Sequence, residues 1–171
     1  AQMMNYVTHR ALFEGFHAHL WTRNSGRLLW MTHPAWPSHA WQIYSSDYDT
    51  HAAFYGVKKA CEPIHVQMNL PDYSVSAVNT TRTARNGLKL RARVFDEKQR
   101  VLHDTVHPID LPANSVTRVE TGSLAGYIST HELVFVKLEI VDAGSTVVTE
   151  NFYWQGRDER ALRRLNDLAP A

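Results

Sequence analysis

Two hydrophobic rhythms divide the chain. Over its first stretch the spacing is helical: Met4, Val7, Ala11, Phe16 and Leu20 fall three to five apart, and Arg10 and Glu14 can pair across one turn. This predicts a helix over 3–20. Asn24-Ser25-Gly26 supplies its stop, with a glycine free to take a left-handed conformation. An unbroken apolar run follows, Leu28-Leu29-Trp30-Met31, and predicts a fully buried strand over 27–31. Such a strand requires parallel neighbours on both sides and a helix layer across each face, so this αβ unit cannot fold alone. Its neighbours are expected from outside the chain.

From Glu62 the rhythm changes to period two. Ile64, Val66 and Met68 alternate with His65 and Gln67; Val75 and Ala77 continue; Leu88, Leu90, Ala92 and Val94 alternate with Lys89, Arg91 and Arg93. Further runs cover 101–109, 116–121, 133–141 and 146–153. Turn chemistry separates them at Arg85-Asn86-Gly87, Leu111-Pro112-Ala113-Asn114 and Asp142-Ala143-Gly144-Ser145. About seven strands, each buried on one face, in about 95 residues predict an immunoglobulin-like antiparallel β-sandwich over 61–157, without the Cys-Trp-Cys framework of antibody domains. Leu162, Leu165 and Leu168 mark a short terminal helix or tail over 158–171.

Composition narrows the partners. The chain has 171 residues, a net charge of +1 and a charged fraction of 20%, which gives no electrostatic footprint for nucleic acid or an anionic membrane. Neutral, glycan-type ligands fit better. No apolar run approaches the roughly 20 residues of a membrane helix. A single cysteine, Cys61, cannot close an internal disulfide and leaves the redox compartment open. The sequence begins with Ala and shows no basic-then-apolar leader, as expected if a secretion signal was removed or lay upstream of a cut.

Ten histidines invite a metal, but their spacings argue against one. His17 and His19 sit about 200° apart round a helix axis, and His103 and His107 about 13 Å apart along a strand. Cys61 and His65 fail for the same reason, and no HExxH or CxxC accompanies His33, His39 or His51. Cys61 reads as a buried structural thiol rather than a nucleophile, since nothing nearby marks an oxyanion hole. Asp47 and Asp49 form a tight carboxylate pair that points apart in an extended loop, fitting a solvated loop or a ligand hydrogen bond. Asn79-Thr80-Thr81 matches a glycosylation sequon but falls in a predicted strand, and the Arg91/Arg93 strand reads as a solvated face. Neither cofactor nor metal is implied. The stretch from Gly26 to Tyr44 stands apart, with three of the five tryptophans, Trp30, Trp36 and Trp41, next to His33 and His39. These indoles either fill a core or form a platform for the C–H faces of sugars.

Three segments carry a family resemblance: HRALFEGF (His9–Phe16), LLWMTHPAWPSHAWQIY (Leu28–Tyr44) and FYGVKKACEPIHVQ (Phe54–Gln67). Together they resemble the end of the barrel and the start of the following domain in family 2 glycoside hydrolases, nearest the exo-β-glucosaminidases and the β-mannosidase or endo-β-mannosidase branch. The resemblance implies a mainly β chain holding the last αβ unit of a (β/α)8 barrel in residues 1–60, followed by the sandwich. Residues 3–20 would be the seventh barrel helix, 27–31 the eighth strand and 32–50 a substrate loop. Both catalytic glutamates of that retaining mechanism would lie upstream of residue 1, with Glu14 and Glu62 in helix and linker positions. The chain alone is then expected to be inactive, with no catalytic residue of its own. Trp30 resembles the sugar platform of the eighth strand, Trp36 a second wall, and His33 a hydroxyl contact. Relatives often carry Asn or Asp near His33 and Pro34, and this departure leaves mannose and glucosamine both open. The implied partners are the remainder of the glycosidase, as an upstream segment or a separate chain, and an oligosaccharide; the implied setting is secreted or periplasmic. The alternative is a non-catalytic carbohydrate-binding or structural sandwich.

Overall fold

The computed structural model describes residues 2–38, 42–158 and 160–168, so His39 and Trp41 lie outside the described residues. Among the described residues, seven strands form two antiparallel sheets. β1 (Ile64–Asn69), β2 (Ser74–Asn79) and β5 (Ser115–Val119) make one, in the order β1-β2-β5. β3 (Arg85–Asp96), β4 (Val101–Leu111), β6 (Leu133–Val141) and β7 (Val147–Gly156) make the other, in the order β4-β3-β6-β7. The inward residues of the alternating runs meet between them: Val66, Met68, Val75 and Ala77 face Leu90, Ala92, Val94, Val136, Leu138 and Ile140. Burying each of the larger side chains is worth about 1.5–3 kcal/mol, which is why period two fixes the register.

One predicted turn is instead part of a strand. Arg85-Asn86-Gly87 lies within β3, where pairing with β4 slips between Arg85 and Leu88. Gly87 takes a φ of 69°, and its N–H donates to the Asp110 carboxylate at 2.7 Å. The glycine that signalled a turn therefore makes a bulge.

The outer faces differ from a plain half-solvated sandwich. On the four-stranded sheet Arg91 pairs with Asp104, Arg93 with Glu139, and Lys137 with both Glu139 and Glu150, so the basic strand is a solvated, neutralised face. On β1, however, His65 and Gln67 are fully buried although their alternation predicts exposure. The cause is α1 (Gln2–His17), which lies across that face. Helix α2 (Ala52–Ala60) packs on α1 so closely that a β-carbon at Gly56 would stand 2.4 Å from the Tyr6 carbonyl oxygen. A third helix, α3 (Leu124–Thr130), links the sheets and buries Leu124 and Ile128. The expected tail contains a 3-10 helix over Ala161–Asn166.

Two expectations near the amino terminus require correction. The first helix ends at His17 rather than at 20, and residues 27–31 form no strand. Leu28 is 100% exposed, and among the described residues no barrel unit is visible. A strand exists only where neighbouring backbone accepts its N–H and C=O groups, and no described segment runs beside this one.

Candidate functional site

The segment between α1 and α2 is anchored at its root by Arg27. That guanidinium lies 3.6 Å from the centre of the Phe13 ring and donates to the Phe13 carbonyl at 2.8 Å. Its other arm reaches His17 Nε2 at 3.3 Å and the Cys61 sulfur at 3.6 Å. Cys61, expected as a buried thiol, is exposed, because it caps α2 one residue beyond the buried face of Ala53, Gly56 and Ala60. His17 is pushed down to about 4, first by burial and then by the positive Arg27 and the neighbouring His65.

Further on, the Thr32 carbonyl accepts the N–H groups of both Ile43 and Tyr44 at 3.1 Å and draws the ends of the tryptophan loop together. Tyr44 leans on Phe54 of α2 with ring centres 5.4 Å apart, and the Thr50 hydroxyl meets the Tyr55 hydroxyl at 3.2 Å. Asp47 and Asp49 hold the turn between them. Ser45 donates to the Asp47 carboxylate, holding it below the usual carboxylate range, and Asp49 accepts the Thr50 N–H at 2.9 Å. Neither is placed for acid or base work. The residue the turn presents is Tyr48, at a φ of 64°, and its ring stacks on His33 with centres 4.3 Å apart.

The candidate sugar contacts stand as follows. Trp30 is 81% and Trp36 70% exposed, so neither fills a core of this chain; His33 is half-buried against Tyr48. The peptide between Trp30 and Met31 is cis. Tyr48 was not singled out by sequence reasoning, and the polar run around it carried no aromatic periodicity that would have marked it. The loop thus offers exposed indole faces together with a stacked imidazole and phenol. That is the equipment for binding a ring with one apolar face and polar edges.

Beneath α1 lies a second cluster that sequence reasoning missed. One oxygen of the buried Glu14 carboxylate accepts from His65 at 3.1 Å, Asn151 at 2.8 Å and Tyr153 at 2.9 Å. Arg10 donates to the Asn151 side chain at 3.0 Å and the Phe152 carbonyl at 2.7 Å, with its guanidinium 4.1 Å from the Tyr153 ring centre. The anticipated Arg10–Glu14 pair is present at 3.9 Å. Burial lowers the His65 pKa, but hydrogen bonds and charge from Glu14 and Glu62 outweigh it and leave it raised. For Glu62 burial acts upward, while His65, Lys59 and Thr149 hold it down to about 2. A carboxylate held by three donors on one oxygen and sealed from solvent welds helix to sheet and offers nothing to a substrate. The available signal was the coincidence of polar residues on both facing surfaces, Arg10 and Glu14 on one and His65 and Gln67 on the other.

Asn79 of the sequon is fully buried, its amide donating to the carbonyls of Thr83, Leu111 and Pro112, and is closed to modification. Among the described residues no group of three His, Cys, Asp or Glu side chains could hold a metal ion.

Residues 72–156 match the mannosidase Ig/CBM-like domain. Over 156 residues, 90% of this chain, the sequence is 31% identical to a mannosylglycoprotein endo-β-mannosidase of Lilium longiflorum. Over 161 residues it is 29% identical to an exo-β-D-glucosaminidase of Amycolatopsis orientalis. Both matches run well beyond the 72–156 domain. In structure the chain resembles the exo-chitosanase of Amycolatopsis orientalis, with a TM-score of 0.81 at 24% identity over 92% of this chain and 19% of that one. It also resembles a β-D-mannosidase from Dictyoglomus thermophilum, with a TM-score of 0.76 at 19% identity over 91% of this chain and 19% of that one. At these identities the structures show a shared fold. The chain spans 16% of the length of the first relative and 15% of the second.

Proposed function

Since this chain carries a mannosidase Ig/CBM-like domain over residues 72–156 and belongs with glycoside hydrolases of the exo-β-glucosaminidase and β-mannosidase kind, we propose that it is the carboxy-terminal part of a retaining β-glycosidase. The reaction is hydrolysis of a terminal β-mannosyl or β-glucosaminyl bond. Residues 1–60 complete the catalytic barrel, and 61–157 form the adjoining sandwich. In the larger polypeptide, residues 27–31 gain the parallel neighbours they lack here and become the eighth stave. Trp30 is then the platform under the sugar, Trp36 a second wall and His33 a hydroxyl contact.

The observation that carries this reading is the exposure of Trp30, 81%, on a loop tied down by Arg27 at one end and Tyr44 at the other. An indole exposed on an anchored loop presents apolar area that a sugar ring or a partner surface can cover. The acid/base and the nucleophile come from the remainder of the enzyme. Of the carboxylates here, Glu14 is sealed in the weld, Glu62 is bound to Lys59 and Thr149, and Asp47 and Asp49 close a turn.

The test is Trp30→Ala in the complete polypeptide, assayed on p-nitrophenyl β-D-glucosaminide and β-D-mannoside. Loss of one stacking face is expected to lower kcat/KM by about tenfold or more with an unchanged melting temperature. Full activity in the variant would remove the platform role.

A further inference from the structure

The outer face of the four-stranded sheet carries a set of rings that the barrel-side reading does not use. Phe95 pairs with Phe135 across β3 and β6, and Phe135 with Trp154 across β6 and β7, so the three form one cross-strand row. Phe152, two residues along β7 on the same face, stacks on Phe135 with ring centres 5.7 Å apart and planes within 19°. Tyr6 of α1 prolongs the row past Trp154, at 6.4 Å and 24°. Phe152 is 43% exposed and stands between two shallow grooves. One, of about 600 Å³, is walled by Tyr6, Trp154, Lys137 and Glu150; the other, of about 540 Å³, by Phe95, Phe135, Glu97 and Gln99.

The charges beside the rings identify what fits. Arg93 is paired with Glu139, and Lys137 with Glu139 and Glu150, so the border is dense in hydrogen-bonding groups yet self-neutralised. A polyanion meets no net positive field there, and an apolar protein surface would have to strip water from these ion pairs without replacing it. A neutral ring with apolar faces and hydroxyl edges satisfies both parts at once. Neighbouring strands lie about 4.8 Å apart, so successive rings in the row advance by close to the length of one pyranose in an extended β-linked chain.

We propose that the Phe95–Phe135–Trp154 row, with Phe152 beside it, forms a glycan-binding surface, separate from the Trp30 loop, that holds an extended β-1,4-linked hexopyranose chain across β3, β6 and β7. The proposal takes only the class of sugar from the preceding reading, and it needs no catalysis. The surface would hold a polymeric substrate near the enzyme without cutting it.

The experiment is calorimetric titration of the 171-residue chain with β-1,4-mannopentaose and with its glucosamine counterpart, alongside Phe152→Ser, Trp154→Ala and Trp30→Ala, each with its melting temperature. Binding of one pentasaccharide is expected, weakened about tenfold by Phe152→Ser or Trp154→Ala. Phe152→Ser alters an exposed ring, so it remains informative if Trp154→Ala fails to fold. The proposal is overturned if the native chain binds neither sugar, or if binding survives Phe152→Ser. It is equally overturned if Trp30→Ala alone abolishes binding, which would assign the sugar to the loop. A native chain that binds no sugar but self-associates until Phe152→Ser disperses it would show that the row is a protein contact.

Discussion

His17 is a residue at which pH acts on this molecule. It is buried beside Arg27 and His65, and its neutral ring accepts from Arg27. With its folded pKa pushed down to about 4 from the ordinary 6.5, the unfolded chain binds the extra proton between those values. His17 therefore contributes stability that is present above pH 6.5 and is lost as pH falls toward 4. His65 has the opposite sign: its raised pKa supplies stability that is complete below 6.5 and fades as pH rises through its folded value. Thermal melts at pH 7 and pH 5 are expected to show a drop for the native chain that His17→Gln reduces, since glutamine retains an acceptor for Arg27 without titrating. An identical drop in the variant would assign the acid sensitivity elsewhere. These roles were not legible in the sequence. Burial of His17, His65 and Gln67 depends on α1 crossing β1, and polar periodicity is the usual sign of exposure, the reverse of what occurs here.

Among the elements, those whose pattern depends on their own residues were the legible ones. The period-two runs placed all seven strands, since one face of each is buried by the opposite sheet regardless of what surrounds the domain. Residues 27–31 read as a strand for a sound reason, an unbroken apolar run, but strand formation also requires neighbours that the described residues do not provide. Helix α2 was missed because its buried side is Ala53, Gly56 and Ala60, small residues chosen for close approach and nearly silent in a hydrophobic pattern. That same choice makes α2 fragile. Gly56→Ala places a methyl 2.4 Å from the Tyr6 carbonyl oxygen, and because the obstacle is backbone the helices must separate. A loss of about 1–3 kcal/mol in denaturant unfolding is expected. If Gly56→Ala proved neutral or stabilising, the close helix crossing would be refuted.

For the whole molecule, the division is between a sandwich whose core is its own and an amino-terminal part that closes one outer face of it with α1 while other groups look outward. The sandwich has a continuous core, and the outer face of its four-stranded sheet is neutralised by ion pairs. In the amino-terminal part, Leu12, Phe16, Leu28, Trp30 and Trp36 are all exposed. The candidate site was legible as far as Trp30, Trp36 and His33, because the run that holds them resembles a known family; its Tyr48 member and its anchor Arg27 appear only once the loop closes on α1 and α2. The account's central claim is that this chain supplies a platform to a reaction whose catalytic carboxylates lie elsewhere in a larger polypeptide. The direct measurement is release of p-nitrophenol from the β-D-glucosaminide and β-D-mannoside by the 171-residue chain beside the complete polypeptide. The account predicts turnover by the complete polypeptide on at least one of the two and none above background by the 171-residue chain; turnover by the chain alone, or none by the complete polypeptide, would contradict it.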